Sequence, residues 1–186
     1  MKGYIYTMYA GADPSTGWVM NDPIFGRTPT LGACVPNIRR AVTVGDHIFV
    51  ISGRVAGEKQ FVVGGFEVSE KINALAAYRR FPDYRLQANG NGQILGNIIT
   101  DSRGRQHPLD EHENFENRIE NYIVGKHQIA LETPAQFRIA KEETIDLLSD
   151  VFGKRGDRVS DILGRYRKMD ESQVEQVRAW LKCLAE

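Results

Sequence analysis

The chain has 186 residues, of which 41% are hydrophobic and 26% charged, a balance typical of a globular protein that builds its core without a metal or disulfide. The 24 Lys and Arg residues equal the 24 Asp and Glu residues in number, which excludes a protein that coats nucleic acid by bulk charge. Residues 1–105 hold 12 basic and 8 acidic residues, so any site for a polyanion is expected in this part.

The N-terminal sequence and the cysteines predict a cytoplasmic protein. Cys34 and Cys183 lie far apart and have neither metal-ligand nor redox spacing. The opening MKGYIYTMYAGADP is interrupted by Gly, Thr and Asp and does not resemble a signal peptide. No stretch approaches the ~20 apolar residues of a membrane span. We therefore expect no membrane association, and we predict no bound metal or cofactor.

The first third of the chain predicts a strand, a long loop and a short helix. Residues 3–9 (GYIYTMY) are β-branched and aromatic, which favours a strand. Residues 10–31 are rich in Gly and Pro, and a loop of this length in a compact domain is usually functional or disordered. Its Trp18 and Phe25 argue against disorder. Residues 36–42 begin with Pro and predict one helical turn.

The middle of the chain predicts further strands and one helix. We expect strands over residues 47–52, 61–68, 94–100 and 122–131. Gly64 and Gly65 inside the second of these indicate a bulge, a bend or a close approach. Residues 69–79 have helical spacing, with Ser69 as the predicted N-cap.

From Glu142 onward the apolar spacing becomes helical and gives three successive stripes. The first ends at Gly153. The other two lie in residues 154–186, which we predict to be a helical hairpin appended to a main domain of residues 1–153. This hairpin either packs against the main domain, which we favour, or drives formation of a homo-oligomer.

Catalytic signatures are mostly missing from the sequence. There is no P-loop, no dinucleotide fingerprint and no HExxH motif. The segment HPLDEH contains His107, Asp110 and His112, which together are able to ligate a metal or perform acid–base chemistry. The alternative, which we favour, is a solvated loop in which Asp110 is an N-cap.

Aromatic and cationic residues in the N-terminal part indicate a site for an unpaired base. Rings stack on a base for ~1–3 kcal/mol each, polar groups bind the base edge, and arginines hold phosphates. The alternative is that some of these rings are core residues, since side chains alternate along a strand. The candidates for binding the base are Tyr6, Tyr9, Trp18, Asn21, Phe25 and Ser52. The candidates for binding phosphate are Arg39, Arg40 and Arg54.

Residues 18–53, WVMNDPIFGRTPTLGACVPNIRRAVTVGDHIFVISG, resemble the nucleotide modification associated domain 2 family. The elements that carry the resemblance are Asn21, Pro23, Phe25-Gly26, Thr30-Leu31, Cys34, Pro36, Ile38-Arg39-Arg40 and Gly45-Asp46. The Gly-Asp turn, the strand HIFVIS and the strand VVGGFEV are also similar to the PUA-like superfamily, which includes EVE, ASCH and YTH modules. Asp22 and Ile24 are additional to the family pattern.

The resemblance implies an α+β protein with a PUA-like bent β-barrel flanked by helices, to which we add the C-terminal helical hairpin. It also implies a binder of nucleic acid or of a modified nucleotide, in a setting of DNA modification or phage defence. The alternative is a hydrolase or glycosylase-like enzyme acting on modified nucleotides or DNA. In that case Asp22, Asp46 or the group of His107, Asp110 and His112 supplies the acid–base or metal chemistry.

Overall fold

The computed structural model describes residues 1–186 and has an α+β fold, which confirms the predicted class. The strands are β1 Gly3–Thr7, β2 Thr30–Leu31, β3 His47–Ile51, β4 Val62–Ile72, β5 Gln87–Ala88, β6 Ile94–Leu95, β7 Tyr122–Ala130 and β8 Tyr166–Met169. The helices are α1 Pro36–Ala41, α2 Ala74–Arg80, α3 Pro134–Phe152, α4 Val159–Leu163 and α5 Glu171–Ala185.

Six strands form one mixed sheet in the order β2-β7-β4-β3-β1-β8, and β5 and β6 form a separate hairpin. Strand β1 is parallel to β3 and antiparallel to β8. The sheet is not a closed barrel, so this part of the predicted architecture is wrong. Closing a sheet requires its two edge strands to pair with each other, and here the edges are the two-residue β2 and the four-residue β8 at opposite ends of the order.

The chain divides into two compact units, and the first comprises Met1–Trp18, Gly45–Glu67 and His127–Glu186. Strands β1 and β3 are almost completely buried in this unit. Helix α5 contributes Val174, Val177 and Leu181 to this core. Helix α3 begins with a capping box between Thr133 and Gln136, and Gly153 ends it in the left-handed conformation that glycine favours, as predicted.

Residues 154–186 form a helix, a strand and a helix, so the predicted helical hairpin is wrong. Helix α4 ends at Leu163, and Gly164, with φ 71°, turns the chain. Strand β8 then pairs with β1, Tyr166 opposite Tyr6. The apolar spacing predicted a helix that includes Tyr166, but this residue lies in a strand. The strand forms because the edge of β1 offers unpaired backbone groups to this segment. The contacts place these residues in one unit with β1 and β3, without a division at residue 153.

The second unit comprises Val19–Val44 and Val68–Lys126. Its core consists of Ala77, Ile98, Tyr122 and Val124, with partly buried aromatic and aliphatic side chains around them. Helix α2 begins at Ala74 with Asn73 as its N-cap, so the predicted helix start at residue 69 is wrong. Ser69 lies in β4, where its hydroxyl donates to the carbonyl of Val124. The predicted strand 94–100 is only the short β6 followed by isolated bridges.

Candidate functional site

The two compact units divide the predicted binding residues between them. The first unit contains Tyr6, Tyr9, Trp18, Ser52 and Arg54. The second unit contains Asn21, Phe25, Arg39 and Arg40.

In the first unit, residues 9–18 form a tight surface loop, which we call the aromatic loop. The backbone N–H of Ala12 donates to the carbonyl of Tyr9, and Asp13 caps a 3-10 turn over Pro14–Thr16. The turn ends at Gly17, which has φ 87°. The N–H of Gly53 donates to the carbonyl of Ala12 at 2.7 Å. A Cβ atom on Gly53 would lie 1.9 Å from the Tyr9 carbonyl oxygen, so only glycine permits this approach.

The aromatic loop brings Tyr9 and Trp18 together at the protein surface. Their ring centroids are 5.7 Å apart with an interplanar angle of 87°, an edge-to-face contact. Tyr9 is 51% exposed, and Trp18 is partly exposed. The carbonyl of Arg54 accepts a hydrogen bond from Gly11. Its exposed guanidinium has no ion-pair or hydrogen-bond partner within the protein. Two rings and one available cation therefore belong to the same loop region.

Beneath this surface lies a buried aspartate that the sequence analysis did not identify. Asp13 is fully buried, and its Oδ1 accepts a hydrogen bond from the backbone N–H of Ser15 at 2.8 Å. No protein group donates to its Oδ2, and the buried Ser15 hydroxyl is also without a partner. The sequence Asp-Pro-Ser is a recognisable turn and cap signal, but only the structure shows that one oxygen is left over.

Two other candidates in this unit are structural. Tyr6 is 1% exposed in β1, so neither face of its ring is available to stack on a base. Ser52 is fully buried, and its hydroxyl accepts a hydrogen bond from the N–H of Phe61 at 3.0 Å. We therefore exclude both from the candidate site. Both faces of β1 are covered, since Tyr4, Ile5 and Tyr6 are buried in succession.

Arg39 in the second unit is also excluded, because its guanidinium is completely buried. Arginine offers five N–H donors, and here they reach backbone carbonyls instead of phosphate. The acceptors are the carbonyls of Ala33, Cys34, Arg118 and Asn121, at 2.6–3.1 Å. In a helix of six residues, Arg39 occupies the buried face while Arg40 faces solvent.

The buried Asp22 binds the opposite kind of backbone group, since it accepts hydrogen bonds from N–H groups where Arg39 donates to carbonyls. Its carboxylate accepts hydrogen bonds from the backbone N–H groups of Gly32, Ala33 and Cys34 and from the side-chain amide of Asn97. Four hydrogen-bond donors fix the Asp22 carboxylate in place, so Asp22 holds a turn. Burial, and secondly Asp22, raise the pKa of the Cys34 thiol far above its usual value, so this cysteine is no nucleophile.

The remaining candidates of the second unit differ in availability. The amide of Asn21 donates to the carbonyl of Ile94 at 3.0 Å, and Phe25 is partly buried. Arg40 is exposed, and its carbonyl accepts a hydrogen bond from Lys71. Arg40 is thus the one predicted phosphate ligand in this unit whose guanidinium faces solvent without a protein partner.

The HPLDEH segment forms a dyad between Asp110 and His112, which His107 does not join. The Nδ1 atom of His112 lies 2.6 Å from Asp110 Oδ1, and the Asp110 side chain is 2% exposed. Gln106 donates to the other carboxylate oxygen at 2.9 Å. His107 Nδ1 instead accepts the N–H of Leu109. Asp110 caps no helix, and no group of three or more metal-binding side chains is present.

Asp46, the other carboxylate considered for catalysis, is buried in the first unit. Its Oδ1 accepts the backbone N–H of Lys2 at 3.2 Å, and the Lys2 ammonium lies 3.7 Å from Oδ2. These bonds connect the turn before β3 to the start of β1. The geometry is that of a structural carboxylate.

No protein-family model matches the chain, and no curated protein matches it. None of the helices combines the length and the apolar character that crossing a membrane requires. The resemblance of residues 18–53 to the nucleotide modification associated domain 2 family and to PUA-like proteins stays a prediction.

Proposed function

We propose that this protein binds a nucleic-acid base or nucleotide at the aromatic loop and performs no chemistry there. The observation that supports this is the edge-to-face pair of Tyr9 and Trp18 at the surface. Large aromatic side chains are normally packed in the core, and an exposed pair is the feature that binding of flat ligands requires. Stacking on such a ring stabilises a bound base by ~1–3 kcal/mol.

Arg54 supplies the charge in this proposal. Its guanidinium is exposed and has no protein partner, so it is available to a phosphate. Arg54 is the one cation assigned to the site, so we expect a shallow salt dependence, in which the logarithm of the affinity falls by about one unit per tenfold rise in salt for each phosphate contacted. A single-stranded or already extruded base is favoured, because extruding a base from a duplex costs a few kcal/mol.

The resemblance of residues 18–53 supports a modified base as the ligand, in a setting of DNA modification or phage defence. Within that segment, Asp22 and Arg39 organise the backbone. We therefore assign base recognition to the aromatic loop, which begins before the matching residues and ends at Trp18. Nucleosides with and without base modifications are the ligands to compare first.

Tryptophan fluorescence tests the proposal directly, because the chain has two tryptophans in different surroundings. The indole N–H of Trp180 donates to Glu143 at 2.8 Å in a helical region, so Trp180→Phe leaves Trp18 as the reporter. We expect nucleosides or short single-stranded oligonucleotides to change this fluorescence. We expect Trp18→Ala to abolish binding, which is measured by isothermal titration calorimetry because this variant lacks the reporter. An unchanged affinity in Trp18→Ala would overturn the proposal.

A second candidate function, hydrolysis of nucleotides or modified DNA, is favoured by the Asp110–His112 dyad. A buried carboxylate that orients a partly exposed imidazole is an arrangement used in general acid–base catalysis. His127 provides a matched control, since its Nδ1 lies 3.0 Å from Glu67 and its side chain is 66% exposed. Release of base or phosphate that His112→Ala abolishes and His127→Ala retains would support the enzyme over the pure binder.

A further inference from the structure

We propose that the free edge of β8 binds an extended acidic segment of a partner protein, which adds one strand to the sheet. Strand β8 comprises Tyr166–Met169 and is the last strand in the order of the sheet, next to β1. The inference goes beyond the proposed function, because it concerns another element of the first unit and a different class of ligand.

The first step is the direction of the backbone groups of β8. The N–H of Thr7 donates to the carbonyl of Arg165 at 3.1 Å, in the register that continues through β8. In an antiparallel pair, hydrogen-bonded residues alternate with residues whose backbone groups point away from the partner strand. Arg165 and Arg167 therefore bond to β1, whereas Tyr166 and Lys168 direct their N–H and C=O groups outward. No protein group bonds to these outward groups.

The other edge strand of the sheet, β2, has its outward groups covered by the chain itself. Thr30 and Ile24 exchange two backbone hydrogen bonds, at 2.9 and 3.1 Å. Strand β8 has no such segment paired with its outer side. Unpaired N–H and C=O groups along a strand are a template for another strand, so β8 is the edge that is open to a partner.

The second step is the charge along this edge. Residues 164–169 contain three basic residues and no acidic residue. The Arg167 guanidinium is engaged, since it donates to the carbonyl of Ile162 at 2.9 Å. Arg165 and Lys168 are exposed, and neither side chain has an ion-pair or hydrogen-bond partner within the protein. These two available cations complement an acidic strand.

The same charges disfavour a second copy of β8 as the occupant. Pairing two β8 strands would bring three cations from each chain into one ribbon, and like charges on neighbouring strands are destabilising. Charged side chains on an edge strand act against such self-pairing. An acidic strand experiences attraction instead, and the ring of Tyr166, which is 48% exposed, is available to the side chain opposite it.

The experiment titrates isotope-labelled protein with an acetylated and amidated peptide of alternating glutamate and valine, about six residues long. We expect a Kd on the order of 0.1–1 mM, because few backbone hydrogen bonds form and each contributes modestly. The NMR amide signals of Tyr166 and Lys168 are expected to shift, and their hydrogen exchange to slow. The same peptide with lysine for glutamate, or with every backbone nitrogen methylated, is expected to bind at least about fivefold more weakly.

Two substitutions of Lys168 separate its charge from its backbone N–H. Lys168→Ala removes only the charge, whereas Lys168→Pro also removes the outward N–H, at an edge position where proline is tolerated. We expect Lys168→Ala to weaken binding about two- to threefold and Lys168→Pro to weaken it at least about fivefold further. Lys59→Glu is the control, since Lys59 is exposed and lies outside the strands, and we expect it to leave the affinity unchanged.

The outcomes decide among the possible occupants. Equal affinities of Lys168→Ala and Lys168→Pro would assign binding to charge alone and overturn the inference. Absence of binding at millimolar peptide, or equal binding of the methylated peptide, would also overturn it, and the methylated peptide decides if circular dichroism shows that Lys168→Pro does not fold.

Two further results would identify a different occupant and overturn the inference. The first is a dimer in sedimentation velocity that Lys168→Pro abolishes, which indicates a second copy. The second is a shift of the Tyr166 and Lys168 amides with a single-stranded oligonucleotide and none with the peptide. Trp18→Ala is expected to retain peptide binding, so failure of the proposed function leaves this inference intact.

Discussion

Asp22 and Arg39 hold the same backbone turn through opposite hydrogen-bonding groups. The carboxylate accepts the N–H groups of residues 32–34, and the guanidinium donates to the carbonyls of Ala33 and Cys34. Every residue of this turn is thereby fixed by at least one charged side chain that is itself buried. Two residues that the sequence offered as a catalytic acid and a phosphate ligand therefore serve the folding of the second unit.

Removing one member of this arrangement leaves buried polar groups without partners. We expect Arg39→Ala to lower the free energy of unfolding by ~3–5 kcal/mol, because the carbonyls of Cys34, Arg118 and Asn121 lose their buried donor, whereas that of Ala33 keeps Arg118. Urea denaturation followed by circular dichroism measures the change. Arg40→Ala is the control, since an exposed side chain without partners costs less than ~0.5 kcal/mol. Equal midpoints for the two variants would contradict the structural role of Arg39.

Gly53 is the position at which the aromatic loop is most sensitive to added volume. A Cβ atom there meets the Tyr9 carbonyl at 1.9 Å, so Gly53→Ala forces the loop away from residues 52–54. We expect a loss of about 3 kcal/mol, from the upper part of the range for overpacking, and a shift in Trp18 emission. Gly90→Ala is the control, because nothing lies within 4 Å of its Cβ position. An unchanged emission spectrum in Gly53→Ala would show that the loop does not depend on this approach.

His47 makes the stability of the first unit depend on pH. It is 3% exposed and stacks on Phe49, and neither ring nitrogen has a hydrogen-bond partner. Burial lowers its pKa below the usual 6.5, Arg178 lowers it further, and three carboxylates oppose the shift only in part. Those carboxylates are Glu67, Glu175 and Asp46.

The direction of the pH effect follows from the lowered pKa. The unfolded chain binds a proton at His47 near pH 6.5, whereas the folded protein resists it, so stability is lost as the pH falls from above 6.5 toward the folded pKa. We expect unfolding midpoints to drop between pH 7 and pH 5. His47→Phe, which keeps a ring but cannot titrate, is expected to flatten this dependence. A profile identical to that of the unsubstituted protein would assign the effect to other groups.

The two cysteines are expected to differ strongly in reactivity. Burial and Asp22 raise the pKa of Cys34, so almost no thiolate is present at neutral pH, whereas Cys183 is exposed on α5. Iodoacetamide is expected to modify Cys183 in the native protein at least about a hundredfold faster than Cys34. Peptide mass spectrometry measures both sites, and denaturation is expected to equalise them. Comparable rates in the native state would contradict the raised pKa of the partly buried Cys34 thiol.

The elements that sequence spacing predicted well are those whose signals are local. Strands β1, β3 and β7 and helix α1 lie within the predicted ranges, and Gly153 ends α3 where a C-cap glycine was expected. Propensity, capping residues and turn residues act over a few positions, so one sequence is enough to recognise them. The presence of Tyr9 and Trp18 in a Gly- and Pro-rich loop was visible in the same way.

Features that depend on distant partners were missed. Tyr166 continues a helical stripe in the sequence, yet it belongs to β8 because the edge of β1 is available to pair with it. Ser69 has the chemistry of an N-cap, yet β4 extends past it. An edge strand is a property of the assembled sheet, and no local pattern specifies which segment will occupy it.

The sequence by itself determined that this is an α+β protein with an aromatic, glycine-rich loop near its N-terminus and balanced charge. Only the tertiary structure decided which of the candidate side chains remain at the surface, leaving Tyr9, Trp18 and Arg54 on the first unit while burying Tyr6, Ser52 and Arg39. It also decided that Asp13 keeps an unpaired oxygen. The physical reason is that burial and hydrogen-bond satisfaction depend on which distant segments pack together, whereas residue type and spacing describe only the immediate neighbours along the chain.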